Sequence, residues 1–190
     1  MKDHIENKFK TTMRGSALTA GLGLLLMTIL APLAYFNGYQ NLLVENDAVK
    51  TAENIIASET LFRLSICCFL FVALLDIIVA WALYVFLEPA NKNLSLLSGW
   101  LRVSYAVVML ISVSHLLNIL TLISKIEYLK VFELNHLNAQ IMLSMSAFQY
   151  SWDASFVFFS FHLLILGFLV FKSNYAPKIL GVLVIIECNS

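Results

Sequence analysis

The sequence predicts an all-α fold, a polytopic transmembrane helical bundle with four full spans and an incomplete fifth. Of its 190 residues, 60% are hydrophobic and only 13% are charged, whereas a soluble domain carries about 25% charged residues to solvate its surface. The mean hydropathy is +0.83. The apolar residues also stand in long blocks, which is typical of membrane-spanning helices.

Four blocks are long enough for a helix to cross the hydrocarbon core, which takes about 20 residues. A helix over all of 141–171 is about 46 Å long, too long for one bilayer, so we expect 138–151 to lie at or above the outer surface. Pro32 is expected to kink or end the first span. The full spans are predicted at about 17–36, 64–87, 98–123 and 152–172, and the partial fifth at 177–187.

A shorter amphipathic segment lies between the first two spans. Its apolar residues recur at helical spacing and predict an interfacial helix over about 47–57, with Asn46 or Asp47 as its N-cap. Ser58 can then cap the second span, and Glu59 lies in its first turn, where the helix dipole favours an anion.

The distribution of lysine and arginine predicts the orientation, since cytoplasmic loops carry an excess of these residues. With the N-terminus inside, eight such residues fall in inner segments and four in outer ones, which favours a cytoplasmic N-terminus. The inner residues are Lys2, Lys8, Lys10, Arg14, Lys92, Arg102, Lys172 and Lys178, and the outer ones are Lys50, Arg63, Lys125 and Lys130.

Composition and motifs exclude several classes of function. The net charge is zero, which gives no indication of nucleic acid as a partner. The sequence contains no HExxH, GxSxG, Walker or CxxC motif, so we expect no enzyme, no catalytic residue and no cofactor. No metal site is predicted, because no third ligand stands at the depth of Asp76 and His162. The lipid bilayer is the expected partner.

A carboxylate, Asp76, stands in the apolar run FVALLDIIVAWALY. A charge at the bilayer centre costs about 2.5–3.5 kcal/mol on insertion scales, so such a residue usually has a partner or a function. Asp76 lies about 16 Å and His162 about 15 Å from the inner ends of their spans, near the midplane. Arg102 starts about 6–9 Å deep, and its side chain can extend towards Asp76. The sequence therefore indicates an intramembrane polar cluster of Asp76, Arg102 and His162.

Each polar residue has alternative interpretations. Asp76 holds spans together, protonated or paired with Arg102, or handles a proton or ligand, or is simply tolerated in an exposed position. Arg102 either snorkels to the inner boundary or pairs with Asp76. His162 is either hydrogen-bonded to a serine or carbonyl or part of a functional site. His115 and Asn118, one turn apart, indicate a helix–helix hydrogen bond or a secondary ligand site.

Three motifs resemble a known family. They are ASE-x-LFR at 57–63, LY-x-x-L-x-P-x-N at 83–91 and Y-x-P-x-x-LG-x-L at 175–183. Over about residues 14–184 the chain is similar to the bacterial membrane family called domain of unknown function 4386. The resemblance implies about six spans, no assigned activity and a place in the bacterial cytoplasmic (inner) membrane. Because this chain lacks the sixth span, we expect a truncated or frame-changed chain, with a second copy or a partner chain covering 177–187.

Two hypotheses of function follow. The preferred one is a small non-enzymatic integral membrane protein, structural, regulatory or interacting, with an internal polar tie between helices. The alternative is a small transporter or proton-coupled carrier that uses Asp76 and His162 as a midplane site. The sequence shows no inverted repeat and no matched pair of broken helices, which disfavours the carrier.

Overall fold

The structure is a computed structural model that describes residues 2–124, 129 and 131–173, with side chains from residue 13 onward. Over these residues the chain is helical and contains no β-strand, which confirms the predicted all-α class. The elements are α1 (Lys2–Tyr35), a π-helical turn (Phe36–Gln40), α2 (Ala48–Ala57), α3 (Glu59–Leu87), α4 (Lys92–Ile123) and α5 (Leu134–Lys172).

Four helices are long and apolar enough to cross a membrane within the part of the chain that the structure describes. They are α1 with its π-helical turn, α3, α4 and α5, and each contains one of the four predicted full spans. The partial fifth span, predicted at 177–187, lies outside the described residues.

Two of these helices begin earlier than the predicted spans because polar residues set their ends. α3 begins at Glu59, directly after Ser58, whose carbonyl oxygen accepts a hydrogen bond from Phe62 N–H at 3.0 Å. α4 begins at Lys92, and the Asn91 side chain accepts from Leu94 N–H at 3.1 Å. Hydropathy marks only the apolar part of each helix, whereas the capping groups decide where its first turn forms.

α1 passes through Pro32 and ends at Tyr35. The helix therefore does not end at Pro32, and a kink there stays a prediction; the α-helical pattern gives way to the π-helical turn at Phe36. Proline removes one N–H from the helical ladder, which loosens the helix around it. A Cβ on Gly38, within the turn, would overlap the Ser65 side chain of α3, so only glycine fits this close approach.

α5 is one helix of 39 residues, about 58 Å long at 1.5 Å per residue. It begins well before the predicted span at 152, because neither glycine nor proline interrupts 134–151. The segment 138–151 is packed, since Ile141, Met145 and Phe148 are buried. Its position relative to a membrane surface stays a prediction.

The chain divides into two compact units. In the first, α3 and α4 approach closely: a Cβ on Gly99 would lie 3.7 Å from the Ala80 carbonyl oxygen. The Ser95 hydroxyl of α4 also donates to the Tyr84 carbonyl oxygen of α3 at 2.9 Å. This unit comprises the described residues of Met1–Leu26, Leu74–Val107 and Ser155–Ser190.

The second unit, Met27–Ala73 and Val108–Ala154, has an aromatic core. The Phe148 ring lies 4.8–5.6 Å, centroid to centroid, from the rings of Tyr39, Phe69 and Trp152.

Helix α2 belongs to the second unit. It begins at Ala48 after Asp47, whose side chain accepts from Lys50 N–H at 2.9 Å. The helix predicted over 47–57 therefore forms with Asp47, rather than Asn46, as its N-cap.

Candidate polar site within the helices

The residues of the predicted polar cluster lie on three helices of the first unit, and the structure brings them together. Asp76 lies on α3, Arg102 on α4 and His162 on α5. Their exposed fractions are 2%, 3% and 0%. These three polar side chains are thus almost completely buried. Each must therefore find its hydrogen-bond or ion-pair partners inside the protein.

Arg102 and Asp76 form an ion pair. The Nη2 atom of Arg102 donates to Oδ1 of Asp76 at 2.7 Å. The interpretation that Arg102 snorkels to the inner boundary is therefore wrong. A buried charge without a partner costs several kcal/mol. If the Arg102 side chain extended towards the interface, the Asp76 carboxylate would be left in that state, so the ion pair is the more stable arrangement.

His162 receives a second hydrogen bond from the same guanidinium. Nη1 of Arg102 lies 3.2 Å from His162 Nε2, and His162 Nδ1 lies 2.9 Å from both the carbonyl oxygen and the hydroxyl of Ser98. A guanidinium only donates and a carbonyl only accepts. Nε2 must therefore be the acceptor and Nδ1 must carry the proton, which makes His162 a neutral imidazole with one defined tautomer.

One further residue, Phe159, completes the surroundings of Arg102. The Arg102 Cζ atom lies 5.7 Å from the centroid of the Phe159 ring, within the range of a cation–π contact. The Nε atom of Arg102 is buried and has no hydrogen-bond partner among the residues that the structure describes. The guanidinium is thus held by one carboxylate, one imidazole and one ring face.

Ser98 was not predicted as part of the cluster. The sequence does indicate that Ser98 is near the cluster, because it lies four residues before Arg102 and therefore on the same face of α4. That spacing places the serine beside the arginine but does not show which helix it faces.

The secondary candidates lie in the second unit and do not join the cluster. Asn118 Nδ2 of α4 donates to the Ser144 hydroxyl of α5 at 3.1 Å, which is the helix–helix hydrogen bond predicted for this pair. His115 is half-buried and has no hydrogen bond or ion pair within the described ranges. Over those ranges, no group of three or more histidine, cysteine, aspartate or glutamate side chains is placed to hold a metal ion.

Chemically, the cluster is a closed set of mutual contacts. The cation and the carboxylate neutralise each other, and both nitrogens of the imidazole are occupied by hydrogen bonds. Each contact joins a different pair of helices: α3 to α4 through Asp76, and α4 to α5 through His162. The arrangement is therefore suited to fixing three helices against one another.

An all-α chain with four membrane-length apolar helices and a buried ion pair among them is an α-helical membrane protein. The chain belongs to the family described as Domain of unknown function (DUF4386), whose family model matches residues 19–188. The resemblance indicated by the three motifs is thus confirmed.

One relative is an uncharacterized protein of Archaeoglobus fulgidus. It is 35% identical over 115 residues, which cover 60% of this chain and 55% of the relative. The chain therefore spans about half the length of this curated relative. No solved structure matches the chain.

Proposed function

We propose that this chain is a non-enzymatic integral protein of the bacterial cytoplasmic membrane, structural, regulatory or interacting in role. In this proposal Asp76, Arg102 and His162 form an internal tie that holds α3, α4 and α5 in one arrangement. The proposal rests on one observation: Arg102 binds the carboxylate at 2.7 Å and the imidazole at 3.2 Å through separate nitrogens.

The contacts of His162 also support a structural role. A midplane proton carrier needs a group that gains and loses a proton in each cycle. His162 could accept a proton only at Nε2, and there the new N–H would point at a guanidinium that also only donates. Carrying protons would therefore require the hydrogen bond between Arg102 and His162 to break in every cycle.

The test is Asp76→Asn. The amide keeps the shape of the side chain and can still accept one hydrogen bond, but it leaves Arg102 without its counterion. We expect a lower midpoint of thermal unfolding in detergent, equivalent to about 1.5–3 kcal/mol for a hydrogen bond to a charged group. Proton flux in proteoliposomes with a pH gradient should equal that of the wild type.

Glu53→Gln is the matched control, because Glu53 is an exposed carboxylate, and its unfolding midpoint should not change. A correctly inserted Asp76→Asn variant of unchanged stability that loses a pH-dependent flux would replace this proposal with the carrier hypothesis.

A cytoplasmic N-terminus belongs to the same proposal, on the distribution of lysine and arginine. It predicts that Glu45, exposed before α2, faces outward and that Lys92, exposed at the start of α4, faces the cytoplasm. Single cysteines at these positions, with Cys67, Cys68 and Cys188 replaced by serine, can be labelled with an impermeant maleimide. Labelling of Glu45→Cys in intact cells, and of Lys92→Cys only after lysis, is expected; the reverse pattern would invert the orientation.

A second copy of the chain, or a partner chain, over the segment 177–187 also stays a prediction, because the segment lies outside the described residues. Cross-linking in the native membrane tests it.

A further inference from the structure

The second unit contains a cavity, and none of the residues that line it belongs to the polar cluster. The cavity has a volume of about 350 Å³, within the range of small-molecule sites, which are mostly apolar with a few placed polar groups. Its walls come from α2, α4 and α5 and from the segment before α5. The lining includes Ile56, Leu122, Phe132, Leu137, Asn138 and Ile141.

Two polar residues, Ser124 and Asn138, stand in this lining. The Ser124 hydroxyl already donates to the carbonyl oxygen of Thr121, so Asn138 is the polar group that is free to bind another molecule. Its exposed fraction is 7%, and its side chain has no hydrogen-bond partner among the described residues. A buried amide usually has partners, because leaving its donors and acceptor unpaired is energetically unfavourable. Apart from Ser124, the other described residues of the lining are apolar, so a bound molecule can supply the missing hydrogen bond.

The cavity favours an uncharged occupant. None of the described residues that line it is an aspartate, glutamate, lysine, arginine or histidine, and a charge without a partner is strongly disfavoured in such a site. The volume holds about 12 groups the size of a water molecule, at ~30 Å³ each. A chain of about ten carbons with one hydroxyl or carbonyl group matches this volume and satisfies the amide.

The rim gives such a molecule an apolar approach. Val131 is 86% exposed, and Phe132 and Leu134, which line the cavity, are 53% and 70% exposed. Large exposed apolar residues of this kind often mark the approach to a binding groove. An apolar molecule can therefore reach the cavity past these side chains.

We propose that this cavity binds an uncharged single-chain amphiphile whose one polar group hydrogen-bonds to the Asn138 amide. The site shares no residue with the cluster of Asp76, Arg102 and His162, and it does not depend on the role proposed for them.

The test uses the full chain in lipid nanodiscs and a ten-carbon alcohol that carries a diazirine on its chain. We expect saturable photolabelling of peptides containing residues 132–141. Decanol should displace the label about five- to tenfold more effectively than decane at equal concentration in the lipid, because decane lacks the hydrogen bond to the amide. Decanoate should compete more weakly than decanol, since its charge is buried without a partner.

Asn138→Leu keeps the size of the side chain and removes the amide, so it should abolish the advantage of decanol over decane. Asn135→Leu is the matched control, because Asn135 is exposed one turn earlier on α5, and it should behave as the wild type. The comparison of decanol with decane on the wild-type protein holds even if Asn138→Leu fails to fold.

Equal displacement by decanol and decane in the wild type would overturn the proposal. A label that neither compound displaces would also overturn it, and would identify an acyl chain of a bilayer lipid as the occupant. Stronger competition by decanoate would show an anion site instead.

Discussion

Arg102→Leu is expected to lower the free energy of unfolding by about 3–5 kcal/mol, the range found when one partner of a buried ion pair is removed. Asp76 is only 2% exposed in the wild type, where the Arg102 guanidinium lies 2.7 Å from its carboxylate. The variant removes this cation and leaves a buried carboxylate without a counterion. It also removes the donor that His162 Nε2 accepts from. Titration with a denaturing detergent, followed by circular dichroism, measures the loss.

Removing both charges should cost less than removing one. In Asp76→Leu/Arg102→Leu no charge remains to be desolvated, and apolar replacements of buried pairs are often neutral or stabilising by about 1–4 kcal/mol. The double variant is therefore expected to recover a large part of the loss. If it is as unstable as Arg102→Leu, the cost comes from packing and not from the orphaned carboxylate.

An exposed pair provides the control for this experiment. Arg63 Nη2 lies 2.7 Å from Glu59 Oε1, with the two side chains 54% and 44% exposed. Such pairs contribute about 0–1 kcal/mol, so Arg63→Leu should change stability by less than about 1 kcal/mol. The contrast between Arg102 and Arg63 separates the effect of burial from that of the ion pair itself.

The sequence indicated the members of the polar cluster but not their bonds. Counting residues from the span ends placed Asp76 and His162 at one depth, because the rise of a helix per residue is fixed. The same counting did not decide the partner of Arg102, since its long side chain can reach either the interface or the carboxylate. The direction in which the side chain points depends on the rotation of α4 about its axis. That rotation is set by packing against the neighbouring helices, which the sequence does not show. Ser98 was missed for the same reason.

The limits of the helices were predicted less well than their existence. Hydropathy located each apolar block, but the capping contacts of Asn91 and Asp47 fix where α4 and α2 begin. For α5 the bilayer thickness limited the predicted crossing to 152–172, whereas the helix extends over Leu134–Lys172. A length limit restricts the part of a helix within hydrocarbon, whereas the helix itself continues as long as its side chains find neighbours.

Phe148→Ala tests that packing of 138–151 directly. The side chain is 0% exposed and its ring contacts those of Tyr39, Phe69 and Trp152. Truncation of a buried phenylalanine costs about 3–5 kcal/mol, because the cavity left behind collapses only in part. The lost contacts are largely dispersion, which stabilises helix pairs in lipid as well as in water. We expect a loss in that range, measured by the same detergent titration.

Tyr150→Ala is the matched control, since Tyr150 lies two residues later on α5 and is 75% exposed. Its truncation should change the free energy of unfolding by less than about 0.5 kcal/mol. If 138–151 instead lay on a surface without neighbours, both substitutions would have the same small effect. A large loss for Phe148→Ala alone would mean that this part of α5 is held by the aromatic core of the second unit, so that the length of α5 is set by its side-chain neighbours rather than by the thickness of a bilayer.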